Sequence, residues 1–466
     1  MTENPAIPPP TMDFLRNHSK ALLTTLGLAA LGALVCLWLV PREIRAVDQQ
    51  LVGFPDSDVF ANRARPWVLA FLAFLPALAS AAYLASGTLS RYVVRQFLVI
   101  FGICMAALFL IWLLMDLSDN VSDFRGSDQV LRTALHFYST TAPATVLLLL
   151  PYGLLLALLY SLGKLSTHRE IVAMIQSGRG VIRITIPLLV AGVFCTLASL
   201  ALNYHWAPVA EGQQKAILDG ARGRSVNEAT EVLYRNAGER RLWMIGAFPR
   251  SYEKGEPLQF VEITTTDDRN RMVSRFTASR AMWDRETSRW TFIEPVIGRY
   301  APDRAPVFES PPGPLTVDGW TETPWQLIKP GLSAAALGIP DLNTWLLANR
   351  RSSYFADPAP YLTHWHYRWA LPFTCVVTVL LAAPLAIHFS RRAPPGSIFI
   401  AVVLSAVMML FSSISLALGE AGITHPMFAA WLPNGVFALL GFYLFHRRIT
   451  GRPIYQTVRR LLPGAP

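Results

Sequence analysis

Apolar residues gather along this chain in eight long runs, at residues 21–40, 66–86, 97–115, 142–163, 185–203, 368–389, 398–418 and 428–446. Each is close to the roughly twenty residues that an α-helix needs to cross the hydrocarbon of a bilayer, so the pattern predicts eight membrane-spanning helices. Between Tyr204 and about residue 360 the runs stop. There, segments 231–235, 241–246, 258–264, 272–277, 280–284 and 290–293 are short and apolar-polar alternating, with turn residues at 267–270 and 284–288. That cadence predicts strands of a sandwich, jelly roll or related sheet with one concealed face. The cluster Pro311, Pro312, Gly313, Pro314 marks a loop, and Asp341 is placed to cap a short helix through Asn349. The chain thus divides into a hairpin of two spans (1–90), three spans (91–203), a β domain (204–360), three further spans (361–448) and a tail (449–466). Both ends of the β domain must enter the membrane from the same side, which gives the three-domain-three portion an inverted look.

Composition agrees with a bilayer: hydrophobic residues make up 52% of the 466 positions and charged ones 15%, a balance that a water-soluble globule of this size would not need. Arg16 and Lys20 precede the first run in the manner of a secretory signal. The run is too long for an ordinary signal core, however, and residues 39–42 offer no small-residue cleavage site, so a retained anchor is expected. Basic residues set the orientation. Arg91, Arg95, Lys164, Arg169, Arg179, Arg183, Arg391, Arg392, Arg447, Arg448, Arg452, Arg459 and Arg460 fall on one side, whereas Asp116, Asp119, Asp123 and Asp128 outnumber Arg125 and Arg132 on the other. The positive-inside rule then makes both termini cytoplasmic and the β domain extracytoplasmic. The net charge of +10 is largely this topology signal and calls for no nucleic-acid partner. Cys36, Cys104, Cys195 and Cys375 all lie in predicted spans, so structural disulfides are not expected.

No nucleotide motif is present: Gly163 and Lys164 lack the upstream glycine and following hydroxyl of a phosphate-binding loop. Any ATP-driven work must use a separate enzyme, and no cofactor is expected. An ion-driven carrier would place ionisable groups deep in its spans, and these spans contain almost none. Asp116, Asp119 and Glu420 sit at span ends, where interfacial solvation accounts for them better than contact with a substrate or ion. His364 and His366 have metal-like spacing, but Tyr361, Trp365, Tyr367 and Trp369 surround them, and an aromatic belt at the interface explains all six better than a metal site. Residues 166–177 are different: a polar helix directly after a long apolar span, in which Glu170 neighbours Val172, Ala173 and Met174. Spacing alone fits either a docking handle or an ordinary amphipathic loop helix.

A resemblance bears on that choice. Leu162, Gly163, Lys164 and Leu165, followed by Glu170, Met174 and Gly178, are similar to the end of the second core helix of the lipopolysaccharide export permeases, the LptF/LptG family. Residues 91–97 resemble the start of its first core helix, residues 384–386 a motif of its fourth, and residues 431–434 a motif of its sixth. The likeness covers residues 91–448 in order. It implies an α-helical polytopic membrane protein: a six-helix permease core with two extra N-terminal helices and an inserted β-jelly-roll-like domain. It also implies lipopolysaccharide as cargo, a cytoplasmic ABC-type ATPase dimer, a second related permease subunit and a periplasmic lipid-bridge protein. Glu170 would contact the ATPase, supported by His168, Arg169, Ile171 and Met174. Lipid would enter between residues 97–117 and the partner's counterpart of residues 398–418, and the concave β face would shelter acyl chains. Asp116 and Asp119 stand where family members often carry lysines that meet lipid phosphates, and they are candidates for a lipid gate. The N-terminal hairpin departs from the simplest family pattern. A membrane scaffold whose β domain binds proteins is the alternative function.

Overall fold

The structure, a computed structural model, describes residues 11–51, 58–125, 129–221, 227–236, 239–249, 252, 255–269, 271–284, 287, 289–301, 304–328, 333–349, 358–388 and 395–450. Asp128, Arg391, Arg392, Arg452, Arg459 and Arg460 lie outside them.

Eight helical segments among these residues are long and apolar enough to cross a membrane, as the sequence pattern predicts. An N-terminal hairpin, α1 (Thr11–Leu51) and α2 (Val59–Ala85), precedes α3 (Thr88–Arg125), α4 (Val130–Thr167), the short α5 (Glu170–Gln176) and α6 (Val181–Tyr204). Helix α7 (Trp206–Ala221) leads into the β domain. After it come α8 (Pro324–Ile328), α9 (Ile339–Asn349), α10 (Ala359–Ala370), α11 (Thr374–Ala386), α12 (Pro395–Glu420) and α13 (Pro426–Ile449).

Helix α11 is apolar all round and all of its residues except the half-buried Val376 are buried, as expected of the central helix of a bundle. It packs against α4, α6 and α13. Two glycines permit the close crossings: a Cβ on Gly192 of α6 would meet Val379, and one on Gly441 of α13 would meet Leu380. The sixth span, expected over 368–389, begins nearer residue 359 and is broken by a 3-10 turn at Leu371–Phe373. Proline explains the break. Pro372 has no N–H to give the Arg368 carbonyl, and the Asn203 side-chain amide donates to that carbonyl instead, at 2.7 Å. Asn434 does the same for the Ala370 carbonyl at 2.6 Å.

The hairpin joins this bundle through α2, which packs on α6 and α9. Asp58 caps α2 by accepting from the Ala61 amide at 3.0 Å, and its second oxygen accepts from Asn343 of α9 at 2.9 Å. The Tyr204 hydroxyl donates to the Ala61 carbonyl at 2.9 Å. Helix α1 runs past its apolar stretch, because Glu43 on its extension pairs with the buried Arg65 of α2 at 2.5 Å. Next to this junction His205 is buried 3.7 Å from Asp341. Burial, reinforced by the charge of Arg65 and only partly opposed by Asp341, pushes its imidazole down to about 3. Asp341 lies within the first turn of α9, so it does not cap a helix that starts after it.

Among the described residues the β domain is one antiparallel sheet of eight strands: β1 (Asn227–Asn236), β2 (Arg241–Pro249), β3 (Leu258–Thr266), β4 (Met272–Asp284), β5 (Arg289–Ile293), β6 (Val296–Ala301), β7 (Arg304–Glu309) and β8 (Leu315–Val317). The two segments expected at 272–277 and 280–284 are one long strand, β4. Its second edge is shared, with Ser274–Thr277 pairing β6 and Arg280–Asp284 pairing β5. The sheet is therefore open and forked. Strands β6, β7 and β8 have no counterpart in the sequence pattern. Cross-strand register aligns Trp243, Ile263 and Phe276 on one face, with Ile245, Val261 and Ala278 beside them, and this face is buried.

That face is already covered. Trp320 lies against Trp243, Phe276 and Phe292 with ring centroids 5.3, 6.0 and 5.4 Å apart, and Leu327 and Ile328 of α8 are fully buried on it. The covering segment is held by a buried ion pair: Arg241 donates to both oxygens of Glu322, from Nε at 2.8 Å and Nη2 at 3.1 Å. Asn236 donates to the same carboxylate at 2.9 Å, and the Trp290 indole donates to the Glu322 carbonyl at 2.8 Å.

Candidate functional site

Helix α5 sits at the end of the bundle opposite the sheet. The polar helix expected over 166–177 is in fact two pieces. Ser166 and Thr167 finish α4, His168 caps it, and Arg169 adopts a left-handed backbone (φ 60°) that reverses the chain before Glu170 opens α5. A non-glycine residue in that region is uncommon and costs some strain. The reversal is what sets a seven-residue helix across the end of a long one. Helix α5 ends at Gly178 (φ 88°), where the Arg179 amide donates to the Met174 carbonyl and the Gly178 amide to the Ile175 carbonyl. This pair of bonds is a Schellman stop.

The five residues singled out around Glu170 divide between two faces. Ile171 and Met174, one turn apart, are buried in the same apolar core as Leu158, Leu162 and Leu165 of α4 and Ile184 and Leu188 of α6. They seat α5 on the bundle and are not offered outward. His168, Arg169, Ala173 and Gln176 are exposed, and Glu170 is half-buried beside them. Glu170 is the single carboxylate between Lys164 and Arg183, a stretch that also carries Arg169 and Arg179. Its Oε2 accepts a 2.8 Å hydrogen bond from the hydroxyl of Tyr92 in the first turns of α3. The structure thereby brings two sequence motifs together, residues 91–97 and 162–178, though spacing gave Tyr92 no role. A second tie crosses the same end: the His388 amide, just past α11, donates to the Ser166 hydroxyl at 3.2 Å.

Asp119 is exposed on α3, while Asp116, one turn earlier, is half-buried and turned toward Tyr138 of α4. Much of α3 has its apolar side chains exposed, among them Ile103, Leu110, Leu114 and Met115, as expected of a helix bathed in lipid. His364 does not belong to an interfacial belt: it is buried, and its Nε2 lies 2.6 Å from Oε1 of Glu420, the last residue of α12. Glu420, whose side chain is 40% exposed, is thus a partner to histidine and open to its surroundings as well. Among the described residues no group of three or more His, Cys, Asp or Glu side chains is placed to hold a metal ion.

No curated protein matches the chain. Residues 91–447, which take in the six spans after the hairpin except the first three residues of α3 and the last two of α13, and the whole β domain, match the family model described as "Lipopolysaccharide export system permease LptF/LptG". With the fold and the order of motifs in agreement, the chain belongs to the LptF/LptG family of lipopolysaccharide export permeases.

Proposed function

We propose that this chain is the membrane-spanning, non-catalytic subunit of an ATP-driven lipopolysaccharide exporter in a bacterial inner membrane. Both termini and α5 face the cytoplasm, and the sheet stands in the periplasm. A cytoplasmic ABC-type ATPase dimer engages α5, a second related permease completes the lipid cavity, and a periplasmic lipid-bridge protein receives the cargo from the sheet. The observation that carries this is the seating of α5: a short helix pinned to the bundle by Ile171 and Met174, presenting His168, Arg169 and the carboxylate of Glu170 outward. A helix so fixed moves its neighbours when pushed, and a carboxylate among cations suits a partner's arginine or lysine.

Ile171 and Met174 act in this scheme as the anchor, and His168, Arg169 and Glu170 as the contact. Asp119, with Asp116 behind it, marks the lipid gate on α3. The test is purification of the intact chain with its neighbours. A nucleotide-hydrolysing protein should copurify, its turnover should respond to added lipopolysaccharide, and Glu170→Arg should abolish that association while leaving membrane insertion intact. A chain that moves lipid with no such enzyme present, or that binds one equally well after Glu170→Arg, refutes the proposal. A chain that binds periplasmic proteins and moves no lipid establishes the scaffold alternative.

A further inference from the structure

Helix α3 is the core span with the most side chains turned outward, yet its first turns are tied to α5 by a polar bond. Val93 and Phe97, at i and i+4, pack into the central core and hold the helix start in place. Tyr92, beside them, points its hydroxyl at Glu170 Oε2, 2.8 Å away. A carboxylate has lone pairs for about four hydrogen bonds, so Tyr92 on Oε2 leaves Oε1 able to accept from a partner's cation. The two bonds are compatible and share one rigid group. A hydrogen bond of this length is lost once the atoms separate by much more than about 0.7 Å. Any displacement of α5 must therefore carry the start of α3 with it or break the bond. The Ser166 tie to His388 links the same region to buried α11 through a backbone amide, so it cannot be tuned by that side chain. Tyr92 is thus a side-chain link between the exposed helix and the docking helix.

We propose that Tyr92 is a positioning residue for energy coupling: its bond to Glu170 Oε2 passes the displacement of α5 to α3, the lipid-facing span. This rests on the docking role of α5 proposed above.

The experiment uses Tyr92→Phe, which keeps the ring and removes only the hydroxyl, in the full assembly reconstituted in lipopolysaccharide-containing liposomes. The ATPase should copurify at the wild-type level and continue to hydrolyse ATP, while lipid released per ATP falls about tenfold, the scale expected for losing a hydrogen bond to a charged group. A spin label at exposed Leu98 of α3 should move with nucleotide in the wild type and cease to do so in the variant. Wild-type release per ATP together with an unchanged label response overturns the inference. Poor insertion of Tyr92→Phe shifts the decision to the label: with Tyr92 intact, a label that ignores nucleotide overturns it equally. If Tyr92→Phe behaves as wild type while Glu170→Arg loses the ATPase, only this inference fails. If Glu170→Arg keeps the ATPase, the docking role itself fails.

Discussion

Replacing Glu322 with Gln should open the cover on the sheet. The Glu322 side chain is fully buried and that of Arg241 is 11% exposed, and the two share a two-pronged contact. The substitution leaves the Arg241 guanidinium with a neutral partner in a dry site. Its other carboxylate, Glu239, is 3.7 Å away and 53% exposed, too far into solvent to compensate well. Removing one member of a buried ion pair costs about 3–5 kcal/mol, and the residual amide contact and Glu239 place this case near the low end, about 3 kcal/mol. At about 1.4 kcal/mol per factor of ten, local opening of residues 318–328 becomes roughly a hundredfold more frequent. Hydrogen exchange with mass spectrometry on the intact chain in detergent measures it, peptide by peptide. The double variant Glu322→Leu with Arg241→Met should recover most of the protection, since apolar replacements of similar size tend to substitute for a buried pair at little cost. Exchange over 318–328 that rises less than about fivefold in Glu322→Gln, near 1 kcal/mol, refutes the idea that this pair latches the segment.

Ile171→Ala removes an anchor of α5 and should cost about 2–5 kcal/mol locally; exchange over 168–178 should quicken at least tenfold, and unchanged exchange would contradict the anchoring role. His205 carries a pH signature. Its folded value, about 3, lies below the ordinary 6.5 or so, so the opened state binds more protons between those limits; stability is complete above about pH 6.5 and is lost as pH falls toward 3. From pH 7 to pH 5 the α6–α7 junction should lose about 2 kcal/mol, seen as faster exchange after correction for the intrinsic rate, and His205→Gln should flatten that dependence. Asp119→Lys puts a cation at the proposed lipid gate, and the quantity of lipopolysaccharide copurifying should rise several-fold; no change in bound lipid would remove Asp119 from the gate.

Spans and β1 to β5 were legible because each advertises itself locally, through a run of apolar residues or a period of two. Strand β8 is three residues long and β7 carries Pro306, so neither offers enough alternation to be seen. Helix α7 escaped because its tie to the bundle, Ile217 packed with Phe124 and Phe137, joins residues some 80 to 90 positions apart. The pairs that decide the polar chemistry are equally remote: Tyr92 with Glu170, His364 with Glu420, and Arg241 with Glu322. Sequence spacing singled out a polar helix around Glu170, but it cannot tell which helical neighbours face inward. Ile171 and Met174 are apolar whether they grip a partner or their own core, and only the packing of α4 and α6 decides it.

The occupied face of the sheet bears on what a greasy guest would gain by visiting. Trp320, Leu327 and Ile328 already keep Trp243, Phe276 and Phe292 dry, so an incoming acyl chain would evict a tenant of similar oiliness and inherit its contacts. Swapping one apolar occupant for another changes the wetted area little, and the hydrophobic driving force follows that area. Residence would then be nearly neutral in free energy, which favours a relay station over a storage vessel: cargo admitted there is as ready to leave as to stay.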